Sequence, residues 1–193
     1  MFLTYCLLIA HLQAVILPIF LGFISIKRFK HINNSSLIPF GFISLGIASL
    51  FEMLDHTQTE WIYINHSSIF NWLFYSFLSL GLTLLSISVI KNKNQTYINL
   101  IICFLVIISY WLIGKPIALV FQVLVSIILI INWQKKFKNW LFIVYPIFGI
   151  FLTTFFGIKL SLTDNQFWHI FIGPSGSISV LTFYIVLCGS KKK

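Results

Sequence analysis

Charged side chains are scarce in this chain of 193 residues, where only 9% are Asp, Glu, Lys or Arg. Soluble globular domains carry about 25% of these residues. Hydrophobic residues make up 59% of the sequence, and the mean hydropathy is +0.96. So few charges cannot cover the surface of a domain of this size with groups that water solvates well. The composition therefore excludes a soluble domain and indicates an integral membrane protein.

Seven long apolar runs account for nearly the whole chain. Each is close to the length of about 17 to 25 residues that crosses the ~30 Å hydrocarbon core of a bilayer. The runs are continuously apolar rather than alternating, which favours helices over the strands of a membrane barrel. The sequence predicts an all-α polytopic membrane protein with a single seven-helix transmembrane domain over residues 1–193. The predicted helices are 2–26, 37–54, 67–90, 96–113, 116–133, 139–157 and 167–188.

The uneven distribution of charge predicts an orientation. Basic residues near helix ends are retained on the cytoplasmic side of a membrane. With the N-terminus outside, cytoplasmic segments hold eleven of the thirteen basic residues, and only Lys115 and Lys159 lie outside. We therefore expect an N-out, C-in protein of the plasma (inner) membrane or another cellular membrane, with an extracytoplasmic N-terminus. The same orientation places all the acidic residues outside, namely Glu52, Asp55, Glu60 and Asp164.

The formal net charge of +9 indicates interaction with the membrane rather than with nucleic acid. The basic residues are dispersed over four predicted cytoplasmic segments instead of forming one patch, so they act as topology determinants and attract anionic lipid head groups. We expect membrane lipids as partners and no nucleic acid. Membrane-protein partners and the oligomeric state are left open.

Other absences exclude known kinds of protein. Cys6, Cys103 and Cys188 are predicted at three different membrane depths, so no pair is placed to form a disulfide. The last predicted helix has no lysine, which excludes a retinal Schiff base. Five scattered histidines cannot supply the clustered histidine boxes of membrane desaturases, and no spacing among them supports haem ligation.

Ionisable side chains gather at the outer end of predicted helix two. In hydrocarbon such a side chain costs about 2.5 to 3.5 kcal/mol on insertion scales, so it requires a compensating partner or a function. Glu52 and His56 are four residues apart and therefore share one helix face, with Ser49 one turn away. Asp55 lies beside them. The pattern predicts a polar site at this end of the bundle.

Histidines on two further helices are predicted at a similar depth. Helices one and seven run in the same direction, so His11 and His169 both lie in the outer half of the bilayer. If helices one, two and seven are neighbours, these imidazoles converge with His56. Imidazoles and carboxylates bind zinc and non-haem iron, and three protein ligands leave one coordination position open to water. We predict zinc bound by His11, His56 and His169, with Glu52 and Asp55 as catalytic carboxylates.

The same cluster also fits an interpretation without metal or catalysis. A carboxylate and an imidazole at the mouth of a bundle form hydrogen bonds or an ion pair that stabilises the structure. Asp55 also fits an ordinary helix end, and Glu60 fits a solvated loop charge. His66 is typical of the cap region that precedes helix three. Sequence leaves both interpretations open.

Polar residues on predicted helices three and seven extend the candidate site. Asn71, Tyr75, Ser79, Thr83 and Ser86 follow nearly one stripe, at spacings of four, four, four and three. Such a stripe faces protein rather than lipid, either lining a pocket or forming interhelical hydrogen bonds. On helix seven, residues 173–176 read Gly-Pro-Ser-Gly, which permits close approach or a kink with freed carbonyls. The predicted ligand-binding residues are Ser49, His66, Asn71, Tyr75, Asp164, Gly173 and Ser175.

The layout resembles that of the CREST superfamily, which includes alkaline ceramidases and the progestin and adipoQ receptors. That family has seven helices, Ser-x-x-x-His near the outer end of helix two, an acidic residue entering helix three, and His-x-x-x-His opening helix seven. His56 matches the helix-two histidine, with Glu52 in the serine position, and His169 matches the second histidine of helix seven. Asn165 replaces the first, and Asn71 is the polar residue nearest to the helix-three position.

The resemblance implies a zinc-dependent hydrolase of a lipid amide or ester, with its cleft facing the outer leaflet. In that case His11 or His66 completes the zinc site. Two other classes stay open: a non-catalytic seven-helix protein that binds a lipid or another ligand, and a small assembly subunit of a membrane complex. The hydrolase interpretation rests on the cluster around Glu52. The ligand-binding interpretation rests on the helix-three stripe, and the assembly-subunit interpretation rests on the small size of the chain. Whether the protein is an enzyme is therefore undecided by sequence.

Overall fold

The described residues form seven α-helices, and the prediction of an all-α membrane bundle is confirmed. The computed structural model describes residues 2–55, 63–64, 67–138, 140–163 and 167–190. Tyr63–Ile64 (β1) and Ser67–Ser68 (β2) form a short antiparallel pair that the sequence did not predict. A 3-10 helix, Trp168–Phe171, leads into the last helix. The helices are α1 (Phe2–Ser25), α2 (Leu37–Asp55), α3 (Ile69–Ser88), α4 (Lys93–Leu112), α5 (Lys115–Phe137), α6 (Leu141–Thr163) and α7 (Ile172–Gly189).

The helices have the length and composition of membrane spans. Within the described residues, six segments are long and apolar enough to cross a bilayer: α1 to α5, and α7 together with its 3-10 turn. The remaining helix, α6, has 23 residues with Lys159 as its single charged side chain. The chain is therefore an integral membrane protein whose helices span the hydrocarbon core.

Several helices extend beyond their predicted ends. α5 begins at Lys115 and continues through Phe137, and α6 continues to Thr163, six residues past its predicted end. Lysine and glutamine are good helix formers, and lysine keeps its charged head in water while its stem lies along the helix. Polar residues at these ends therefore continue the helix instead of ending it. By contrast, Ser68 caps α3, because its hydroxyl accepts a hydrogen bond from the Asn71 amide (3.1 Å).

The order of packing places the first three helices in close contact. α2 lies between α1 and α3, α3 also packs on α4 and α5, and α7 packs on α1 and α6. A Cβ atom on Gly81 would lie only 2.9 Å from the Gly41 carbonyl oxygen. The lack of side chains at both positions lets α2 and α3 approach closely, as small residues do in membrane bundles.

Hydrogen bonds identify two ends of the bundle. At the lysine end, defined by Lys27, Lys30, Lys91 and Lys136, His31 bonds to Ser190 (2.9 Å) and so joins the α1–α2 connection to the end of α7. The opposite end carries the first turns of α3 and α5 and the last turns of α2 and α4. We call it the histidine end, because it contains His11 and His169.

A buried aromatic core joins the helices towards the lysine end. Trp133 of α5 is fully buried, and its indole Nε1 donates to the Leu85 carbonyl of α3 (2.8 Å). Its ring meets Phe183 of α7 edge-on, with centroids 5.0 Å apart. An indole N–H needs such a partner when it is away from water. This core holds α3, α5 and α7 in fixed positions relative to one another.

Candidate metal centre

Three ionisable side chains from three segments meet at the histidine end. His11 comes from α1, Glu52 from the last turn of α2, and His169 from the 3-10 helix before α7. One donor atom of each lies within 4.8 Å of the other two. The imidazole rings are 5.1 Å apart between centroids. Both histidines are buried, with 4% of each side chain exposed, and Glu52 is half-buried.

Close packing of α7 on α1 brings the two imidazoles together. A Cβ atom on Gly173 would lie 3.0 Å from the Ala10 carbonyl oxygen and 3.5 Å from Ala14 Cβ. Gly173 therefore lets the start of α7 rest directly on α1 beside His11. His169 is four residues earlier, so the same approach carries it onto the neighbouring surface of α1.

The hydrogen bond of His11 sets which ring nitrogen is basic. Its Nδ1 lies 2.8 Å from the Leu7 carbonyl oxygen. A carbonyl only accepts hydrogen bonds, so Nδ1 carries the proton and Nε2 carries the lone pair. Histidine ligands of metals commonly donate their second ring nitrogen to such an acceptor, which fixes the tautomer and the ring orientation. His11 is thus held in the form that a metal ligand requires.

A polar shell lies beside this triad. Asp55 accepts a hydrogen bond from the Asn71 side chain (3.2 Å), and Asn71 in turn accepts one from the Tyr110 hydroxyl (2.7 Å). These bonds join the end of α2 to α3 and α4. Glu52 lies close enough to Asp55 and Lys115 for their charges to interact. The triad therefore has a second carboxylate and one ammonium group beside it.

The Lys115 ammonium group also rests on an aromatic ring. Its Nζ lies 5.6 Å from the centroid of the Tyr75 ring, within the range of a cation–π contact. Tyr75 itself packs against Tyr110, with ring centroids 5.9 Å apart. Lys115 is therefore positioned over the polar shell rather than extended into water.

The donor set has the chemistry of a transition-metal site. Two imidazoles and one carboxylate form a ligand set that catalytic zinc sites use, with a further position for water or a ligand. A tetrahedral zinc ion with bonds of about 2.0 to 2.1 Å places its donor atoms about 3.4 Å apart. The donor atoms of this cluster lie within 4.8 Å of one another, so they would have to move closer together to bind a zinc ion in that geometry.

The structure brings three of the predicted site residues together. Glu52, predicted as a catalytic carboxylate, lies beside His11 and His169, which were both predicted as metal ligands. Asp55 lies beside Glu52 as expected. His56, His66 and Asp164 lie outside the described residues.

Two predicted ligand-binding serines donate hydrogen bonds to backbone carbonyls four residues earlier in the chain. The Ser49 hydroxyl donates to the Leu45 carbonyl (3.3 Å), and the Ser175 hydroxyl donates to the Phe171 carbonyl (2.6 Å). Pro174 lies in the first turn of α7, where a helix has no acceptor for the missing amide. The irregular backbone is instead the 3-10 turn that carries His169.

The helix-three stripe consists of two parts. Near the histidine end, Asn71 and Tyr75 contribute to the polar shell. Further along, the stripe makes interhelical hydrogen bonds: the Ser86 hydroxyl donates to Asn99 (2.7 Å) and accepts from Asn132 (2.9 Å). The Ser79 hydroxyl donates to Gln122. This second part therefore joins α3 to α4 and α5.

Sequence reasoning missed two members of the polar shell. Lys115 had a usable signal, because it is one of only two basic residues on the acidic side of the predicted membrane. Tyr110 had none, since an aromatic residue near a helix end ordinarily indicates the membrane interface. Only the packing of α4 on α3 shows that its hydroxyl reaches Asn71.

Comparison with known proteins identifies a family to which the chain belongs. The sequence matches the family model described as "seven transmembrane receptor" over residues 3–193. The chain belongs to this receptor family. No curated protein and no solved structure matches it. The receptor-family match agrees with a seven-helix membrane protein and gives no support to the resemblance to the CREST superfamily.

Proposed function

We propose that this protein is a membrane receptor whose ligand site contains a zinc ion held by His11, Glu52 and His169. The observation that carries the proposal is the convergence of three donor atoms within 4.8 Å from three separate segments. The tautomer of His11 set by the Leu7 carbonyl supports it, because it leaves a lone pair on Nε2 that can bind a metal. A fourth coordination position is then available to a ligand.

The helices that supply these ligands also contact one another at the lysine end. There the Arg28 guanidinium, just after α1, donates to the Tyr184 hydroxyl of α7 (2.8 Å). His31 bonds to Ser190 in the same region (2.9 Å). A ligand that changes the separation of α1 and α7 at the histidine end therefore changes these contacts as well. We propose this as the route by which binding is transmitted across the membrane.

The proposal includes an orientation with the histidine end outside the cell. The basic residues at the opposite end support it, since such residues are retained in the cytoplasm. The ligand then reaches the site from the extracytoplasmic side of the plasma (inner) membrane. Membrane lipids surround the bundle in either orientation.

Metal content of the purified full-length protein tests the proposal. After exposure to zinc and removal of excess metal, we expect close to one zinc ion per chain by elemental analysis. His11→Ala, His169→Ala and Glu52→Gln should each lose most of it, because each removes one of three ligands. His31→Ala is the matched control, since His31 lies at the lysine end, and should retain zinc. A metal-free wild-type protein would contradict the proposal.

A receptor is expected to bind its ligand without converting the ligand to a product. A ligand present at about 100 times its Kd stabilises the folded state by about 2.7 kcal/mol, which raises the midpoint of thermal unfolding. We expect a screen of lipids and small anions on the zinc-loaded protein to give such a shift without any product. Glu52→Gln should abolish the part of the shift that depends on zinc, and its unfolding midpoint without ligand should match that of the zinc-free wild-type protein.

A second candidate function is hydrolysis of a lipid amide or ester, as the CREST layout implies. One observation favours it: Asp55 lies beside Glu52, where a second carboxylate can act as general base. Its orientation is set by the Asn71 amide (3.2 Å). Turnover of a ceramide-type substrate by the zinc-loaded protein would favour this function over the receptor. The Asp55→Asn variant should then lose turnover while it retains zinc. Zinc binding without turnover would favour the receptor.

A further inference from the structure

A cleft opens at the lysine end, opposite the candidate metal centre. Three segments form it: the α1–α2 connection, the last turn of α5 and the last turn of α7. Its volume is about 250 Å³, which is below the range of about 300 to 1,000 Å³ for sites of drug-sized ligands. The cleft therefore has room for a head group rather than a whole lipid. Its walls include His31, Ile32, Lys136, Phe137, Val186 and Ser190.

The hydrogen bonds of the cleft hold its polar wall in place. The Ser190 hydroxyl donates to the Leu187 carbonyl (2.6 Å), so it accepts from His31 Nε2 (2.9 Å). The His31 ring also meets Phe29 edge-on, with centroids 6.4 Å apart, and Phe29 is 1% exposed. The imidazole therefore packs against a buried aromatic ring. The polar wall exists before any ligand binds.

The charge around the cleft selects an anion. Exposed basic side chains lie near it on the same end of the bundle, including Lys30 and Lys135 beside Lys136 in the wall. In the described part of the chain, the acidic side chains are Glu52 and Asp55, both at the histidine end. Among the described side chains, an anion in the cleft therefore has basic neighbours and no carboxylate at the same end of the bundle.

The apolar side of the cleft selects an amphiphile. Ile32 is buried at 2% exposure, and Phe137 and Val186 complete a hydrocarbon wall next to Lys136. The cleft also lies at the ends of membrane-spanning helices, at the depth where lipid head groups are found. Basic pockets between such helices bind anionic head groups, with about 1 kcal/mol for each nearby Lys or Arg.

We propose that the lysine-end cleft is a binding site for the phosphate head group of an anionic phospholipid. Lys136 supplies the charge, the hydrogen-bonded pair of His31 and Ser190 fixes the polar side of the cleft, and Ile32, Phe137 and Val186 contact the first acyl carbons. The site is separate from the metal centre, which lies at the other end of the bundle. Zinc is therefore not required for lipid binding.

Gly189 provides a direct way to block the cleft. It lines the cleft, and no atom of the described residues lies within 4 Å of a Cβ built on it. Gly189→Leu therefore adds a bulky side chain at the wall of the cleft, at a position where a Cβ atom meets no described neighbour. Gly176 is the matched control, because it also lies on α7 and its Cβ likewise meets no described atom within 4 Å, but it does not line the cleft.

Titration of the purified full-length protein with phosphatidylglycerol in a neutral detergent tests the proposal, with the midpoint of thermal unfolding as readout. We expect a saturable rise with phosphatidylglycerol and little change with phosphatidylcholine. Lys136→Gln should weaken the apparent Kd about fivefold, whereas the neighbouring Lys135→Gln should change it much less. Gly189→Leu should remove the saturable rise, and Gly176→Leu should retain it.

Three results would overturn the proposal. Equal stabilisation by phosphatidylcholine would show that acyl chains, and not the phosphate charge, are responsible. Equal stabilisation by inorganic phosphate at the same concentration would identify a free anion as the occupant. Equal weakening by Lys135→Gln and Lys136→Gln would indicate a diffuse surface charge instead of a cleft. The unfolding midpoints without lipid establish that each variant folds.

Discussion

His11 and His169 are buried side chains on membrane-spanning segments. A polar side chain in such a place is costly unless it is paired or bound. The Leu7 carbonyl satisfies Nδ1 of His11, and Glu52 lies next to both rings. At the scale of single residues, this arrangement is compatible with the proposed cation site.

Metal binding by this triad should weaken as the pH falls. Zinc binds neutral imidazole and ionised carboxylate, so protons compete with the metal at every ligand and binding releases protons. Between about pH 8 and about pH 6 we therefore expect the apparent Kd for zinc to increase. Isothermal titration in buffers of different ionisation enthalpy measures both the Kd and the protons released. A Kd that does not change with pH would argue against histidine and carboxylate ligands.

Asn71 should contribute to stability through two side-chain hydrogen bonds. It donates to Asp55 and accepts from the Tyr110 hydroxyl, joining three helices. Interhelical hydrogen bonds in membranes average about 0.6 kcal/mol, so we expect Asn71→Leu to lower the free energy of unfolding by about 1 kcal/mol. Tyr110→Phe removes one of the two bonds and should cost about half as much. Unfolding by denaturing detergent in mixed micelles measures both, and equal stability of Asn71→Leu and wild type would contradict the assignment.

The position of each helix depends on small residues as much as on hydrophobic length. α2 and α3 meet where Gly41 and Gly81 face one another, and α7 meets α1 at Gly173. The Gly173 contact sets how near His169 comes to His11. The relative placement of whole elements therefore determines the geometry of the candidate metal centre.

Gly81→Ala should separate α2 from α3. The added Cβ would lie 2.8 Å from Leu45 Cδ2 and 2.9 Å from the Gly41 carbonyl oxygen, which is backbone and cannot rotate away. Overpacking of this kind costs about 1 to 3 kcal/mol. We expect a loss of stability in that range in mixed-micelle unfolding. Gly176→Ala is the control, because its Cβ meets no described atom within 4 Å and should not destabilise the bundle by overpacking.

The whole molecule has opposite chemistry at its two ends. The histidine end carries both described carboxylates and the candidate metal ligands, and the lysine end carries a basic rim around a cleft. Such an asymmetric protein has a defined orientation in the membrane, because basic segments are not readily translocated. We expect the two ends to face different compartments and different ligands.

Cysteine labelling in intact cells should report the orientation. In a background with Cys6, Cys103 and Cys188 replaced by serine, Ile113→Cys at the histidine end should react with a membrane-impermeant maleimide. Asn33→Cys at the lysine end should react only after the membrane is permeabilised. Both positions are exposed, so a difference between them reports the side of the membrane and not burial. The reverse pattern would overturn the N-out prediction.

Much of the architecture was predictable from local sequence. Apolar runs of membrane-spanning length separated by short polar segments predicted the seven helices, since a bilayer permits few alternatives. The ends were less predictable, as α5 and α6 show, because lysine and glutamine continue a helix at the interface. The location of the polar site near Glu52 was also predictable, because a carboxylate inside a membrane span is costly.

The sequence by itself determined the membrane class, the number of helices and the scarcity of groups able to bind a cation. Tertiary structure decided which of those groups meet. Nothing in the spacing of residues 11, 52 and 169 shows that their donor atoms lie within 4.8 Å of one another. The physical reason is that residues on different helices meet only where helix packing brings them together, at contacts such as that of Gly173 with Ala10.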